Sequence, residues 1–321
     1  MNLLPKTKLT ESAALSRFRH SWIIDLLIAI LLFVISQSIE SVVLIPAIFI
    51  WFFTGIDFAG LAASDDPTFV MEQVSKLMSR QPDWIALLSL IATVVVIIVC
   101  ILYATKIERR PRNSLGFCGK APALEYCIGY VIGIGLFAIA WAICLATGAA
   151  TLEGISPSLS AMILPFFAAF LIQGLSEEVL CRGFLMQTLS IRYRPVVAIV
   201  VNSLFFMALH FLNSGLSLLA LCNLFLFGVF ASVYFWKRGS IWGVAAIHSA
   251  WNFTQGNLLG IKVSGSVLGP SVLSTSLNEA KTWMNGGDFG LEGGIAVTVV
   301  LLAATVILLF LPVRKSAQIE A

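Results

Sequence analysis

The chain has 321 residues, of which 59% are hydrophobic and 12% charged, and its formal net charge is +3. A soluble fold of this length must supply a polar shell, and an ordinary globular protein carries roughly 25% charged residues. The composition excludes a soluble enzyme and a disordered chain, the small net charge excludes a nucleic-acid binder, and together they describe an integral membrane protein.

Residues 1–22 read as a cytoplasmic leader. Its polar stretch from Met1 to Ser21 is too long for a cleavable signal and lacks a small-residue cleavage site. A membrane-crossing helix needs about 20 apolar residues. Eight segments are candidates: Ile23–Phe53, Trp84–Ala104, Leu124–Gly148, Ala161–Leu189, Val196–Leu212, Leu216–Trp236, Ile241–Leu259 and Gly293–Leu311. They predict an all-α, polytopic membrane protein with about eight transmembrane helices. Residues 23–312 form a single transmembrane domain and 313–321 a cytoplasmic tail. Trp22, Trp84, Trp236 and Trp242 stand at segment ends, where amphipathic rings prefer to lie. Two connections are long, Thr54–Asp83 and Gly260–Glu292. In the first, Val70, Val74, Leu77 and Met78 recur at helical spacing and predict an amphipathic surface helix.

The first segment contains Asp25, Gln37, Glu40 and Pro46 and is long enough to be two short crossings. The basic residues decide between one helix and two. Lys6, Lys8, Arg17 and Arg19 precede it, and Lys106, Arg109, Arg110, Arg112 and Lys120 follow the second segment. Both clusters are cytoplasmic only if an even number of crossings separates them, which makes the first segment one long tilted helix. Arg192, Arg194, Lys237, Arg238, Arg314 and Lys315 then also face the cytoplasm, against Lys76, Arg80, Lys262 and Lys281 outside. Both termini are therefore predicted to be cytoplasmic, in a cell membrane. The six cysteines form no C-x-x-C pair and read as small buried hydrophobes.

Ionisable groups within lipid are costly and mark function by default. The fourth segment carries Glu177-Glu178-Val179-Leu180-Cys181-Arg182. Glu178 and Arg182 lie one turn apart on one face and can pair. Glu177 is rotated by about 100° and is left over. Two of the three histidines, His210 and His248, fall inside the fifth and seventh segments, each in a four-residue interval with Phe206 and Asn252 respectively. His20 reads as a solvated or headgroup-facing residue, and Asn202, Ser203 and Asn223 as interhelical hydrogen bonds. The phenylalanines Phe205, Phe206, Phe211, Phe225, Phe227 and Phe230 read as packing or lipid-facing surface. Counted at about 1.5 Å per residue from the cytoplasmic ends, His248 lies about 12 Å deep and His210 about 22 Å, so they meet only if helices tilt or protrude.

Amide hydrolysis requires a base to activate water and donors to hold the oxyanion that forms. A carboxylate in a low-dielectric cavity is a better base than one in water, imidazoles can hold water or donate, and an asparagine amide is a neutral donor. Ser176 and Cys181 have no dedicated base. Glu177, His210 and His248 also form a possible zinc ligand set, although no H-E-x-x-H is present.

Glu177-Glu178-x-x-x-Arg182, Phe206-x-x-x-His210 and His248-x-x-x-Asn252, in that order on three apolar segments, resemble the CAAX prenyl protease and bacteriocin-processing (CPBP, or Abi) family. Gly239-Ser240-Ile241-Trp242-Gly243 leading into His248 adds to the likeness, which covers about Leu164–Leu259 and makes 161–259 the catalytic core. The resemblance implies an eight-span intramembrane endopeptidase whose cavity opens to the cytosol and laterally to lipid. It implies that Glu177 and His210 activate water, that His248 and Asn252 stabilise the oxyanion, and that Glu178, Arg182 and Phe206 support them. It requires no cofactor, zinc being the alternative. Cys181 departs from the family, which often has an aromatic residue there. The partners it implies are membrane lipid and a peptide or protein substrate, prenylated or membrane-anchored, and no nucleic acid. Two other readings remain: a non-catalytic immunity or scaffold protein of the same fold, and a transporter with a Glu–His proton relay, which a visible repeat would have favoured.

Overall fold

The computed structural model describes residues 4–63, 68, 69, 71, 75, 82–119, 121–314 and 317. Val70, Val74, Leu77 and Met78 of the expected surface helix, and Lys76, Arg80, Lys120 and Lys315 of the charge pattern, lie outside the described residues. The elements, in chain order, are α1 (Lys8–Ala13), α2 (Trp22–Gly55), α3 (Asp83–Ile107), α4 (Pro122–Ala146), β1 (Ala150–Ile155), α5 (Ile163–Ser190), α6 (Pro195–Ala208), α7 (Leu218–Arg238), α8 (Ile241–Phe253), β2 (Leu273–Leu277) and α9 (Ile295–Phe310).

The chain is mostly helical, as backbone groups in lipid must be satisfied within their own segment. Among the described residues, five helices, α2 to α5 and α7, are long and apolar enough to cross a membrane. α2 runs unbroken through Pro46, as one long helix. Two of the other three predicted spans hold shorter helices. α6 has 14 residues and α9 16, or about 21–24 Å at 1.5 Å per residue against the ~30 Å of hydrocarbon, whereas α8 continues past Phe253 as π turns to Leu258, close to the expected end at Leu259. α6 stops at Ala208 because residues 209–217 turn, and α9 begins only after two tight turns at Gly287–Phe289 and Leu291–Gly293. The all-α expectation also needs correction. β1 and β2 form an antiparallel pair, Ala150 opposite Leu277 and Ile155 opposite Leu273, with a register shift between Leu152 and Gly154. These five- and six-residue strands fall in connections, where a search for long apolar runs has no sensitivity.

Local chemistry sets the joints. Ser217 caps α7 by accepting from the Ala220 amide, and Ser240 caps α8 by accepting from that of Trp242. Gly239 between them has φ 68°, a left-handed turn that glycine adopts without a Cβ penalty. Pro195 opens α6, where a missing N–H costs nothing. Buried acids hold the chain near the start of α4 and the end of α3. Arg238 Nε donates to Glu125 Oε1 at 2.9 Å, Arg314 donates to Glu125 Oε2, and Arg110 Nε lies 3.0 Å from Glu108 Oε2. Burial pushes the Glu108 carboxyl above the usual range, with Arg110 pulling it back.

α5 and α7 are central: 50% and 61% of their apolar windows are buried, against 22% for α2 and α3. α8 packs chiefly on α4 and α5. This packing depends on small residues, as membrane helix contacts commonly do. A Cβ on Gly129 of α4 would lie 2.2 Å from the Gly243 carbonyl oxygen of α8, one on Gly133 2.5 Å from that of Ile247, and one on Gly174 of α5 2.4 Å from Ser249 Oγ. Alanine at Gly129 must push two backbones apart and is expected to destabilise by about 1–3 kcal/mol. Thermal unfolding in detergent checks this, with Gly135→Ala as the control because that position faces open space.

The cysteines carry no disulfide; Cys100, Cys144 and Cys181 are buried as expected, whereas Cys127 and Cys222 are exposed.

Candidate active site

α5 supplies the acids. Gln173 and Glu177 are four apart on one face, and Gln173 Nε2 donates to Glu177 Oε1 at 2.5 Å. Glu178, one position on, points elsewhere. Its Oε1 accepts from Arg182 Nη1 at 2.8 Å and contacts His248 Nδ1 at 2.8 Å, all within a fully enclosed region. The Glu178–Arg182 pairing expected from spacing is therefore present, and it also engages a histidine. The helix widens into π turns from Val179 to Met186, immediately after the two acids, a form often found at functional sites. The Arg182 guanidinium also donates to the Gly228 carbonyl at 3.3 Å and lies over the Phe206 ring, 4.5 Å from its centroid. Phe206 is buried, and its ring meets both His210 (4.8 Å) and His248 (5.9 Å).

α8 supplies His248 and Asn252 on one face. With Nδ1 engaged by Glu178, His248 turns Nε2 toward Glu177, 3.8 Å from Oε2. That oxygen is enclosed and has no hydrogen-bond partner among the described residues. Asn252 Nδ2 donates to Gln173 Oε1 at 3.0 Å. His210 is not deep within a straight span. α6 ends at Ala208, and His210 stands in the turn beyond, where its Nδ1–H donates to the Phe206 carbonyl at 2.9 Å, which leaves Nε2 as its other ring nitrogen. Both imidazoles nevertheless reach one cavity.

Glu177, His210, His248, Asn252 and Phe206 line one cavity of about 170 Å³. A single water needs about 10–15 Å³ of such space, so the cavity holds several. A second cavity, of about 230 Å³, shares Glu177, His210 and Asn213 with the first and is bounded by Phe33 and Gln37 of α2 and Thr93 and Val96 of α3. Glu178 and Arg182 lie behind the cavity wall. Among the described residues, no three His, Cys, Asp or Glu side chains form a group able to hold a metal ion.

Sequence reasoning missed several lining residues. Gln173 is a polar residue in an apolar run four positions before Glu177, a signal that was available. Phe227, read as packing surface, stacks edge-on against His248 at 5.0 Å. Glu292 lies in a long connection where nothing marks it. Its carboxylate accepts from Trp251 Nε1 (2.9 Å) and from the Ser264 N–H and hydroxyl (2.8 and 2.7 Å), fastening that connection to the cavity wall. Asn223 is the interhelical link expected of it, donating to the Glu292 and Gly294 carbonyls and accepting from Thr298. Asn202 joins α6 to α7 through Ser232 at 2.9 Å.

Residues 159–254 match the family model described as type II CAAX prenyl endopeptidase Rce1-like. Neither the curated proteins nor the solved structures compared with the chain give a match. The matched stretch contains all three motifs and the helices that carry them. That match over residues 159–254 of this membrane protein supports membership of the CAAX prenyl protease and bacteriocin-processing family.

Proposed function

We propose that this chain is an intramembrane endopeptidase that hydrolyses a peptide bond with a glutamate-activated water. The observation that carries the reading is the approach of Glu177 Oε2 to His248 Nε2, 3.8 Å apart, at the wall of a cavity large enough for water. On this reading Glu177, aided by His210, takes the proton of a water that attacks the scissile carbonyl carbon. His248, held between Glu177 and Glu178 as an imidazolium with its Nδ1–H on Glu178 and a second hydrogen on Nε2, and the free N–H of Asn252 donate to the oxyanion. Collapse of the tetrahedral intermediate returns the proton to the leaving amine. Glu178 and Arg182 fix the His248 ring, and Phe206 packs beneath both imidazoles.

The family match supports a peptide substrate, prenylated or otherwise membrane-anchored, reaching the site from the cytosol and from lipid between α2, α3 and α5. The distribution of basic residues supports a reading with both termini on the cytoplasmic side of a plasma membrane, read as bacterial, and with α8 and the shorter α6 and α9 completing eight spans, the short ones by thinning the bilayer around them. No cofactor is required. A zinc enzyme would need Glu177, His210 and His248 to close on one ion, a group they do not form in this arrangement.

The test compares peptide cleavage by membranes containing the wild type with that by membranes containing Glu177→Ala. Loss of cleavage in the variant supports the reading, and equal cleavage overturns the base assignment. Activity that vanishes with a chelator and returns with zinc selects the metal alternative. No cleavage by the wild type favours a non-catalytic member of the fold.

A further inference from the structure

We propose that Gln173 is a positioning residue that aligns the base and the oxyanion donor of this site together. The inference rests on the hydrolase reading and deepens it. Gln173 sits between the two groups, donating from Nε2 to Glu177 Oε1 at 2.5 Å and accepting at Oε1 from Asn252 Nδ2 at 3.0 Å. It is the single side chain bonded to both among the described residues, and it bridges α5 to α8.

The direction of this relay follows from chemistry. An ionised carboxylate only accepts hydrogen bonds, so the Gln173 amide must turn its nitrogen toward Glu177. Its oxygen then faces Asn252, which must turn its own nitrogen to meet it. One N–H of Asn252 is consumed, and the second remains for the oxyanion. At the other end, the bond to Oε1 leaves Oε2 as the free basic atom, on the side of His248 Nε2. A single amide thereby selects which carboxylate oxygen accepts the proton and which face of Asn252 donates. An amide serving only to tie two helices could run in either direction.

The arrangement also accounts for a glutamine rather than a shorter or ionised residue. Asparagine lacks one methylene, which the four-residue spacing to Glu177 uses. Glutamate can still accept from Asn252, but when ionised it offers Glu177 no hydrogen and opposes it with like charge.

The experiment uses the full-length protein in proteoliposomes, incubated with a proteome-derived peptide library. New termini are identified by mass spectrometry, and kinetics are then measured on the peptide cut fastest. Gln173→Leu removes both bonds at similar volume, and Gln173→Glu retains the shape and the bond to Asn252 while removing the one to Glu177. Both are expected to lower kcat about 10- to 100-fold with KM within twofold of wild type, the scale expected when reacting groups are misplaced by an ångström or less. Thermal unfolding is measured alongside. If Gln173→Leu fails to fold, the isosteric Gln173→Glu decides. Wild-type kcat in a folded variant, even with a lowered melting temperature, reduces Gln173 to a helix tie and overturns the inference. Glu177→Ala is run in parallel: if it cleaves as wild type does, the hydrolase reading itself has failed, whereas a dead Glu177→Ala beside a fully active Gln173 variant refutes only the positioning role.

Discussion

Replacing Glu177 with glutamine is expected to lower kcat by about 10²- to 10⁴-fold, the usual contribution of a positioned general base. The substitution keeps the shape of the side chain, and its oxygen can still accept from Gln173 Nε2, which now donates to a carboxylate oxygen at 2.5 Å. An amide nitrogen then replaces Oε2, the oxygen that faces His248 Nε2 at 3.8 Å. It has no lone pair for a proton, so water at that point is no longer activated. The side chain of Glu177 is partly open to the cavity, and folding is expected to change little. Steady-state cleavage combined with thermal unfolding separates loss of chemistry from loss of structure. A folded variant with wild-type kcat would mean that some other group is the base.

Arg182→Leu is expected to cost about 3–5 kcal/mol of stability, because breaking a buried ion pair strands its partner. Arg182 and Glu178 are both fully enclosed, 2.8 Å apart. With the guanidinium gone, the carboxylate keeps only the contact with His248 Nδ1. The arginine also leaves the Phe206 ring, over which it lies at 4.5 Å, so a packing contact beneath both imidazoles disappears. The double replacement Glu178→Met with Arg182→Leu removes both charges, and stability is expected to recover substantially. Activity is not expected to follow, since His248 loses the carboxylate that orients its ring. Unfolding in detergent and kcat, measured on the same preparations, give the two answers. A double variant as active as wild type would show that the pair does not orient the histidine.

The membrane class, the long first helix and the order of the three motifs are legible in sequence because each rests on a physical signal that survives without coordinates. Apolar run length marks the helices, and four-residue spacing identifies the Glu178–Arg182 pair, which forms as expected. The rest depends on where helices stop. His210 reads as deep within the fifth span, since Phe211 and Leu212 continue the apolar run. Hydropathy cannot register that α6 ends at Ala208, nor that His210, in the turn beyond, lines the cavity. The β1–β2 pair is hidden for a related reason: LSTSL and ATLEGI are too short and too mixed to stand out, and their pairing joins residues more than a hundred positions apart. Gln173 and Phe227 are missed differently, as a lone amide and one phenylalanine among 23 acquire meaning only from their neighbours in space. Glu292 shows the converse, a buried acid whose hydrogen bonds to Trp251 and Ser264 give it a structural task inside the cavity.

The claim on which the account depends is that the Glu177 carboxylate and the His248 imidazole face one water in a membrane-enclosed cavity. An experimental map of the protein in lipid, at a resolution that shows ordered solvent, tests it most directly. The account places a water within hydrogen-bonding distance of both Glu177 Oε2 and His248 Nε2. Density for a metal ion bound by Glu177, His210 and His248, or a cavity closed to solvent with the two side chains turned apart, would contradict it.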